Sequence, residues 1–494
     1  MWKFDPPGPQ SPRETESLVD DLVGAGRGAE FWRDFRDRFI TGHDIAQIAT
    51  EGMNHVRLPI NSRVVMAEDG TLLGCGFTLI DRLIEWCREF GLWVVLDLHG
   101  APGGQTGTNI DDSPHGTPEL FTDRRYQEMT VALWRELARR YRDETVVAGY
   151  DLLNEPLPNE YQDRYARELV ALYREITAAI RGVDQHHLII YEGTHWATNW
   201  SIFTEVWDAN SMLQFHKYWS APDRPSIQRF LDIGARLGLP VYMGEGGENN
   251  LEWLYTAFQL YDDCGISWNF WPWKKVQTRT SPCSVDAPDG WADVLAYSMG
   301  KADRPDADVA WRTLRDLLDR MVLARCTYRR DVVGALLRRP PLRIPATGFG
   351  FGGPGVSYHT SGAARPLAEF RADDRVTISR SPGAERSELS FDHTDGSPRP
   401  AGDRLLVALD AGDWVAYEVR LDAPSRLLVH IGLHTEADAT PPTVDIDNAP
   451  MNVGPDGDTL VATSGPVGAG RHLIRVTGRA PHTLLAWLDV TPTT

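Results

Sequence analysis

Two glutamates in this chain close runs that read as buried strands. Glu155 follows the run at residues 147–154 and precedes Pro156; Glu245 follows Val241-Tyr242-Met243-Gly244. Proline cannot continue a hydrogen-bonded ladder, so the first strand should stop at Pro156 with Glu155 projecting from its end. Gly244, Gly246 and Gly247 should leave room for a substrate to approach Glu245. A pair of carboxyls flanking an acetal carbon can cleave it: one protonates the leaving oxygen while the other attacks or activates water. Asn154 stands beside the first of them, suited to hydrogen-bonding a sugar hydroxyl.

Further polar residues recur at the ends of β-like runs: Arg57 in Val56-Arg57-Leu58-Pro59, His99 in Asp97-Leu98-His99, His216 and Tyr218 in His216-Lys217-Tyr218, and Trp271. Taken singly, Arg57 reads equally well as a structural ion pair and His99 as a satisfied strand-end histidine. Asp97 and Asp151 lie short of their strand ends and read as buried structural groups. Glu192 is a rival carboxylate and a candidate substrate contact. Glu248 rivals Glu245 but lies three residues deeper in its loop. Lys274 and Lys275 read as rim or solvated surface.

The elements that must hold these groups are seven apolar runs, at residues 55–58, 93–99, 147–154, 188–192, 213–216, 241–245 and 266–271. Amphipathic helical runs such as 77–90, 124–141, 163–182 and 226–237 separate them. That alternation predicts an α/β protein, a parallel sheet covered by helices, and the clustering of polar residues at the strand ends favours a (β/α)8 TIM barrel. The rival arrangement is an open doubly wound sheet. An eighth strand should precede His55, but upstream lie only a proline-rich start and helical patches at 14–22 and 29–39. The barrel's first strand is therefore missing at the N-terminus, and the natural start is expected farther upstream. After Pro340-Pro341 the composition changes to short strands with turn signals, predicting a β-sandwich of jelly-roll type. The expected domains are 1–342 and 343–494.

At 494 residues and a formal charge of -19 the chain is long enough for two cores and too acidic to favour nucleic acid as a partner. Five cysteines without C-x-x-C spacing predict neither a disulfide framework nor a zinc site. No apolar run is long enough for a membrane span, no signal peptide is visible, and no cofactor or metal is called for. A barrel acting on phosphorylated metabolites is disfavoured, because the loop after Glu245 is acidic.

In order and spacing, Arg57, Asp97-Leu98-His99, Asn154-Glu155-Pro156, His216-Lys217-Tyr218, Gly244-Glu245 and Trp271 resemble the strand-end motifs of glycoside hydrolase family 5, a family of retaining barrel enzymes. The likeness covers about residues 1 to 300. It implies a retaining glycoside hydrolase with Glu155 as acid/base and Glu245 as nucleophile, Glu155 having the higher pKa. Arg57 and Tyr218 would hold Glu245, and His216 would support Glu155. His99 and Asn154 would hold the sugar, and Trp271 would supply its floor. The partner would be a carbohydrate substrate. The glycine-rich loop from His99 resembles β-1,3-glucanase members, whereas Asn109-Ile110-Asp111-Asp112-Ser113 is closer to bacterial members that include furanosidases; the sugar is thus a β-glucan or a furanoside such as a β-galactofuranoside. The family's habit implies an extracellular setting. Residues 343–494 resemble carbohydrate-binding module families 6 and 35, with Thr347 where a calcium-binding glutamate is usual and Leu484-Leu485-Ala486-Trp487 where a ligand asparagine is usual. A working binder and a buttress remain open there. The alternative for the whole chain is a non-catalytic sugar-binding protein on a degenerate barrel.

Overall fold

The computed structural model describes residues 6–493 apart from 109, 363–366, 368–369, 383–388, 401–402, 435–439 and 458. Asn109 thus lies outside the described residues. Seven parallel strands run in sequence order among those described: β1 (His55–Asn61), β2 (Trp93–Gly100), β3 (Val147–Asp151), β4 (Leu188–Glu192), β5 (Ser211–His216), β6 (Val241–Gly247) and β7 (Ser267–Trp271). A strand order without reversal curls the sheet into a barrel; a doubly wound sheet would reverse at a switch point. The interiors of β2 to β6 are nearly continuously buried, because helices cover the outer face and side chains fill the inner one, whereas β1 and β7 at the two edges of the sheet are only partly buried.

β1 and β7 approach each other but share no hydrogen-bonded ladder. Between them opens a slot of about 750 Å³, lined by Ile45, His55, Arg57, Tyr242, Phe270 and Trp271 among others. The barrel is nearly closed, and the slot lies where the sequence reading expected an eighth strand.

The covering helices follow the usual amphipathic logic. In the helix Arg124–Tyr141, Asp123 caps the start by accepting from the Arg125 amide, and Thr130, Leu133, Trp134, Leu137 and Tyr141 form its buried stripe. The helix Leu251–Asp263 is different: every residue from Trp253 to Tyr261 is buried. One side packs on the barrel and the other on the C-terminal region, where Tyr255 donates to the Glu418 carbonyl at 2.8 Å. The N-terminal helices Pro12–Val23 and Ala25–Arg38 pack on Ala307–Arg320. Lys274, read from sequence as rim or surface, is instead fully buried, paired with Asp44 and donating to the Phe39 and Met321 carbonyls.

From Leu342 onward the chain forms two antiparallel sheets, a β-sandwich. Tyr417 sits in its core and donates to the Ala346 carbonyl. Arg371, wholly buried, donates to the carbonyls of Thr347, Phe349 and Gly350 while lying over the Phe349 and Phe351 rings. Barrel and sandwich share one continuous apolar core. Arg338 and Glu418, both almost fully buried, pair across the junction at 3.0 Å.

Candidate active site

The C-terminal ends of the strands bring the predicted groups together. Arg57, from β1, is the hub. Its Nε donates to Asp151 at 2.8 Å, one terminal nitrogen to Glu245 at 2.9 Å, and the other to Asn154 at 2.9 Å and Glu192 at 3.1 Å. That last nitrogen also pairs with Asp97 at 3.1 Å. A planar guanidinium with five donors suits this crowd of acceptors, and the acids around it hold its pKa well above the usual value although burial opposes this. Asp97 and Asp151 are completely buried, as expected of structural groups.

Glu245 lies near the end of β6, with Arg57 on one of its oxygens. Besides Arg57, the Tyr218 hydroxyl donates to its second oxygen at 2.7 Å. Glu155 receives the His216 Nδ1–H at 2.7 Å, and His99, oriented by Asp97 at 2.9 Å, stacks on Trp271 with ring centroids 5.3 Å apart and planes 6° apart. Asn154 Nδ2 lies 3.5 Å from His99 Nε2. Ligand atoms of Glu155, His216 and Glu245 all lie within 4.8 Å of one another. Among the described residues this is the one trio of such side chains with the spacing of a cation site, but His216 Nδ1 is already engaged with Glu155.

The proton arrangement departs from expectation. Burial pushes Glu155 up, but the His216 hydrogen bond and charge, with His99 and Arg57, outweigh it and hold Glu155 below the usual carboxylate value. Burial raises Glu245, and the Glu155 charge adds to it, more than His216, Arg57 and His99 lower it. His216 stays protonated: burial disfavours its charge, but Glu192, Glu245 and the bond to Glu155 raise its pKa well above the usual value. The expected order of the two glutamates is thus reversed, because an imidazolium sits on Glu155.

Four features were not anticipated. The β3 ladder ends at Asp151, four residues before Glu155, and Glu155 itself adopts φ 44°. Leu157, Asn159, His195, Trp196 and Ala197 are also left-handed, so the loops flanking the site hold sterically costly backbone of the kind that clusters at functional sites. Glu192 contacts structural partners all round: its second oxygen accepts the Glu155 amide at 2.7 Å and its first accepts from Arg57 and Gln214. Gln105 and Gln214 were missed, since an isolated glutamine carries no sequence signal. Gln105 donates to the His99 and Asn154 carbonyls, and Gln214 to Asp151 and Glu192. The glycines near Glu245 serve the protein rather than open space. A Cβ on Gly244 would fall 2.1 Å from the Gln214 amide, one on Gly246 2.6 Å from the Lys217 carbonyl, and one on Gly247 2.3 Å from that of Trp271.

A parallel barrel with a carboxyl cluster at its C-terminal mouth defines the class: a barrel protein whose strand ends carry groups suited to acid–base chemistry. The cellulase family model, glycosyl hydrolase family 5, matches residues 25–277, just over half the chain, and the chain belongs to that family. It is 30% identical over 302 residues to a beta-xylosidase of Phanerodontia chrysosporium, covering 53% of this chain and 62% of that protein. It is 40% identical over 137 residues to cellodextrinase A of Ruminococcus flavefaciens, covering 27% of this chain and 39% of that one. The chain therefore spans less than two thirds of the length of either relative. The endoglucanase Cel5A of Thermotoga maritima aligns with a TM-score of 0.43 at 20% identity, over 60% of this chain and 90% of that one.

Proposed function

We propose that the chain is a retaining O-glycosyl hydrolase acting on a carbohydrate with β-linked glucosyl or xylosyl units, with Glu245 as nucleophile and Glu155 as acid/base. The observation that carries this is the pair itself. Oxygens of the two glutamates lie within 4.8 Å, which fits the about 5–5.5 Å of double displacement and not the about 6.5–9.5 Å that leaves space for an attacking water. Arg57 and Tyr218 hold Glu245 from two sides, leaving attack on the anomeric carbon as its role. The proton for the leaving oxygen is the one held between His216 Nδ1 and Glu155. Its shift onto Glu155 turns an ion pair into a neutral acid, ready to donate. Once Glu245 is esterified its charge is gone, and Glu155 takes a proton from water to release the sugar. His99 and Asn154 hold sugar hydroxyls, and Trp271 offers its face to the C–H surface of a sugar ring.

Both carboxyls and their supports are present, which argues against a non-catalytic protein on a degenerate barrel. In this reading residues 1–342 do the chemistry and 343–494 form a module of carbohydrate-binding type that braces them, with the protein acting outside the cell. Among the described residues no helix is long and apolar enough to cross a membrane.

The test is hydrolysis of aryl β-glucoside, β-xyloside, β-mannoside, β-galactofuranoside and α-arabinofuranoside, with Glu245→Ala as control. Turnover of the glucoside or xyloside, abolished in the variant, supports the proposal. Turnover confined to a furanoside overturns the choice of sugar, and turnover that survives Glu245→Ala overturns the mechanism.

A further inference from the structure

Two acids in the loop after β2 build a second pocket. Asp111 cinches that loop on itself, accepting from the Ser113 amide at 3.0 Å and from the Ser113 hydroxyl at 2.7 Å. Asp112, almost fully buried, reaches to two arginines: the Arg13 amide donates to it at 2.8 Å, and Arg63 pairs with it through Nε. The helix Pro12–Val23 is thereby pinned against the segments that follow β1 and β2. Between them lies a cavity of about 290 Å³, lined by Arg13, Arg63, Asp112, Arg125 and Tyr126 among others. Small-molecule sites begin at about 300 Å³, so this one suits a single sugar ring rather than a run of them.

The cavity holds cationic donors that the protein does not itself use. Arg63 is engaged by Asp112 and, at 2.8 Å, by Glu16, so it serves as a brace. Arg13 gives a terminal nitrogen to Glu68 at 3.1 Å. Its Nε is buried without a hydrogen-bond partner among the described residues, the Asp112 oxygen being 3.9 Å away. The Arg125 guanidinium lies 4.6 Å from the centre of the Tyr126 ring, and its ion pair with Asp123 is long, at 3.9 Å. Gly103 presses on the same ring: a Cβ there would fall 2.3 Å from Tyr126. A ring held in this way keeps Arg125 in place, while the planar fork of donors stays open to solvent.

The cavity stands next to the carboxyl pair's surroundings. Ser62 and Ala101 line it, and they follow Asn61 and Gly100, which are partners at the end of the β1–β2 ladder. Ala101 is two residues from His99, so their α-carbons are no more than about 7 Å apart.

We propose that this cavity binds an acidic sugar unit, a uronosyl residue, with its carboxylate on Arg125 and the Arg13 Nε. The choice of a sugar rests on the hydrolase reading above. The choice of an anion rests on the unused guanidinium donors, whose fork matches the two oxygens of a carboxylate.

The experiment is calorimetric binding of methyl β-D-glucuronoside, methyl β-D-glucoside and acetate to the full chain and to its Arg125→Gln and Arg125→Lys variants. The Arg125 side chain is exposed and makes no hydrogen bond among the described residues, so both variants should fold. The expected result is a Kd for the glucuronoside at least about tenfold below that for the glucoside. Glutamine should erase that preference and lysine keep part of it. Equal affinities for the two glycosides, no measurable glucuronoside binding, or a preference that survives Arg125→Gln would overturn the site. Acetate bound as tightly as the glucuronoside would overturn the sugar. Binding is read without turnover, so a chain that binds the glucuronoside but hydrolyses no glycoside would overturn the hydrolase reading alone.

Discussion

In the proposed reaction the chemistry turns on where one proton sits. His216 carries it, 2.7 Å from Glu155, with Glu192 and Glu245 favouring its charged form. Two consequences follow for the pH profile of kcat/KM. Glu245 is raised, so the acid limb, where the nucleophile protonates and activity is lost, should lie above the about 4.3 of a free glutamate. His216 is raised well above its usual value, so the alkaline limb, where the shared proton leaves, should lie above about 6.5. A single alkaline limb at or below 6.5 would contradict the shared proton. Glu155→Gln should cost more on substrates with poor leaving groups than on activated aryl glycosides, because only the former need the proton; comparing the two kcat/KM losses checks this. Lys217 gives a separate prediction. Burial lowers its pKa to about 7, although Asp223 opposes this. Its folded value lies below the unfolded one, so the folded state gains stability as pH rises from about 7 toward the about 10.4 of a free lysine. Lys217→Met removes that dependence. The variant should gain in Tm relative to the parent at pH 6 and lose that advantage by pH 10, as measured by thermal melts across the range.

The strands and their connecting turns explain what the residues alone could not reveal. Apolar runs and strand-end motifs made the parallel strands legible, because buried parallel strands advertise themselves by composition. The same motifs pointed to Arg57 and to the seven other residues that the strand ends gather near it. The turn after β3 was not legible: a run from Val147 to Asn154 looks continuous, yet the ladder stops at Asp151 and Glu155 is left-handed, because its amide is taken by Glu192. Nor were the glycines legible, since spacing does not tell which atom a missing Cβ makes room for. Gly244 shelters Gln214, whose amide ties Glu192 to Asp151. Gly244→Ala should therefore displace that amide, lowering kcat at least tenfold, about 1.4 kcal/mol of barrier, with a smaller change in KM. A change confined to KM would mean that the glycine faces substrate after all.

Barrel and sandwich behave in this structure as one body. Their apolar cores are continuous, and the helix Leu251–Asp263 is buried on both sides between them. The loop that follows Glu245 is tied to the sandwich as well: Asn249 donates to the Phe391 carbonyl and Asn250 to that of Ser397. The composition change after Pro340-Pro341 held no hint of this union, because a helix buried on both faces loses the one-sided periodicity that would announce it. At the junction Glu418 faces Arg338, Arg420 and Arg471. Glu418→Leu would leave Arg338 buried without its main counter-charge, costing about 3–5 kcal/mol of stability. Calorimetry should show a single transition in the parent, moved down in the variant; two separate transitions would contradict the shared core.

The central claim, that Glu245 attacks and Glu155 manages the proton, is met most directly by trapping the glycosyl-enzyme. A 2,4-dinitrophenyl 2-deoxy-2-fluoro-β-glucoside slows both steps but leaves fast, so the intermediate accumulates and peptide mass mapping locates it. The account predicts one sugar per chain on Glu245 and none on the Glu245→Ala variant. A sugar on Glu155 or Glu192 would contradict it.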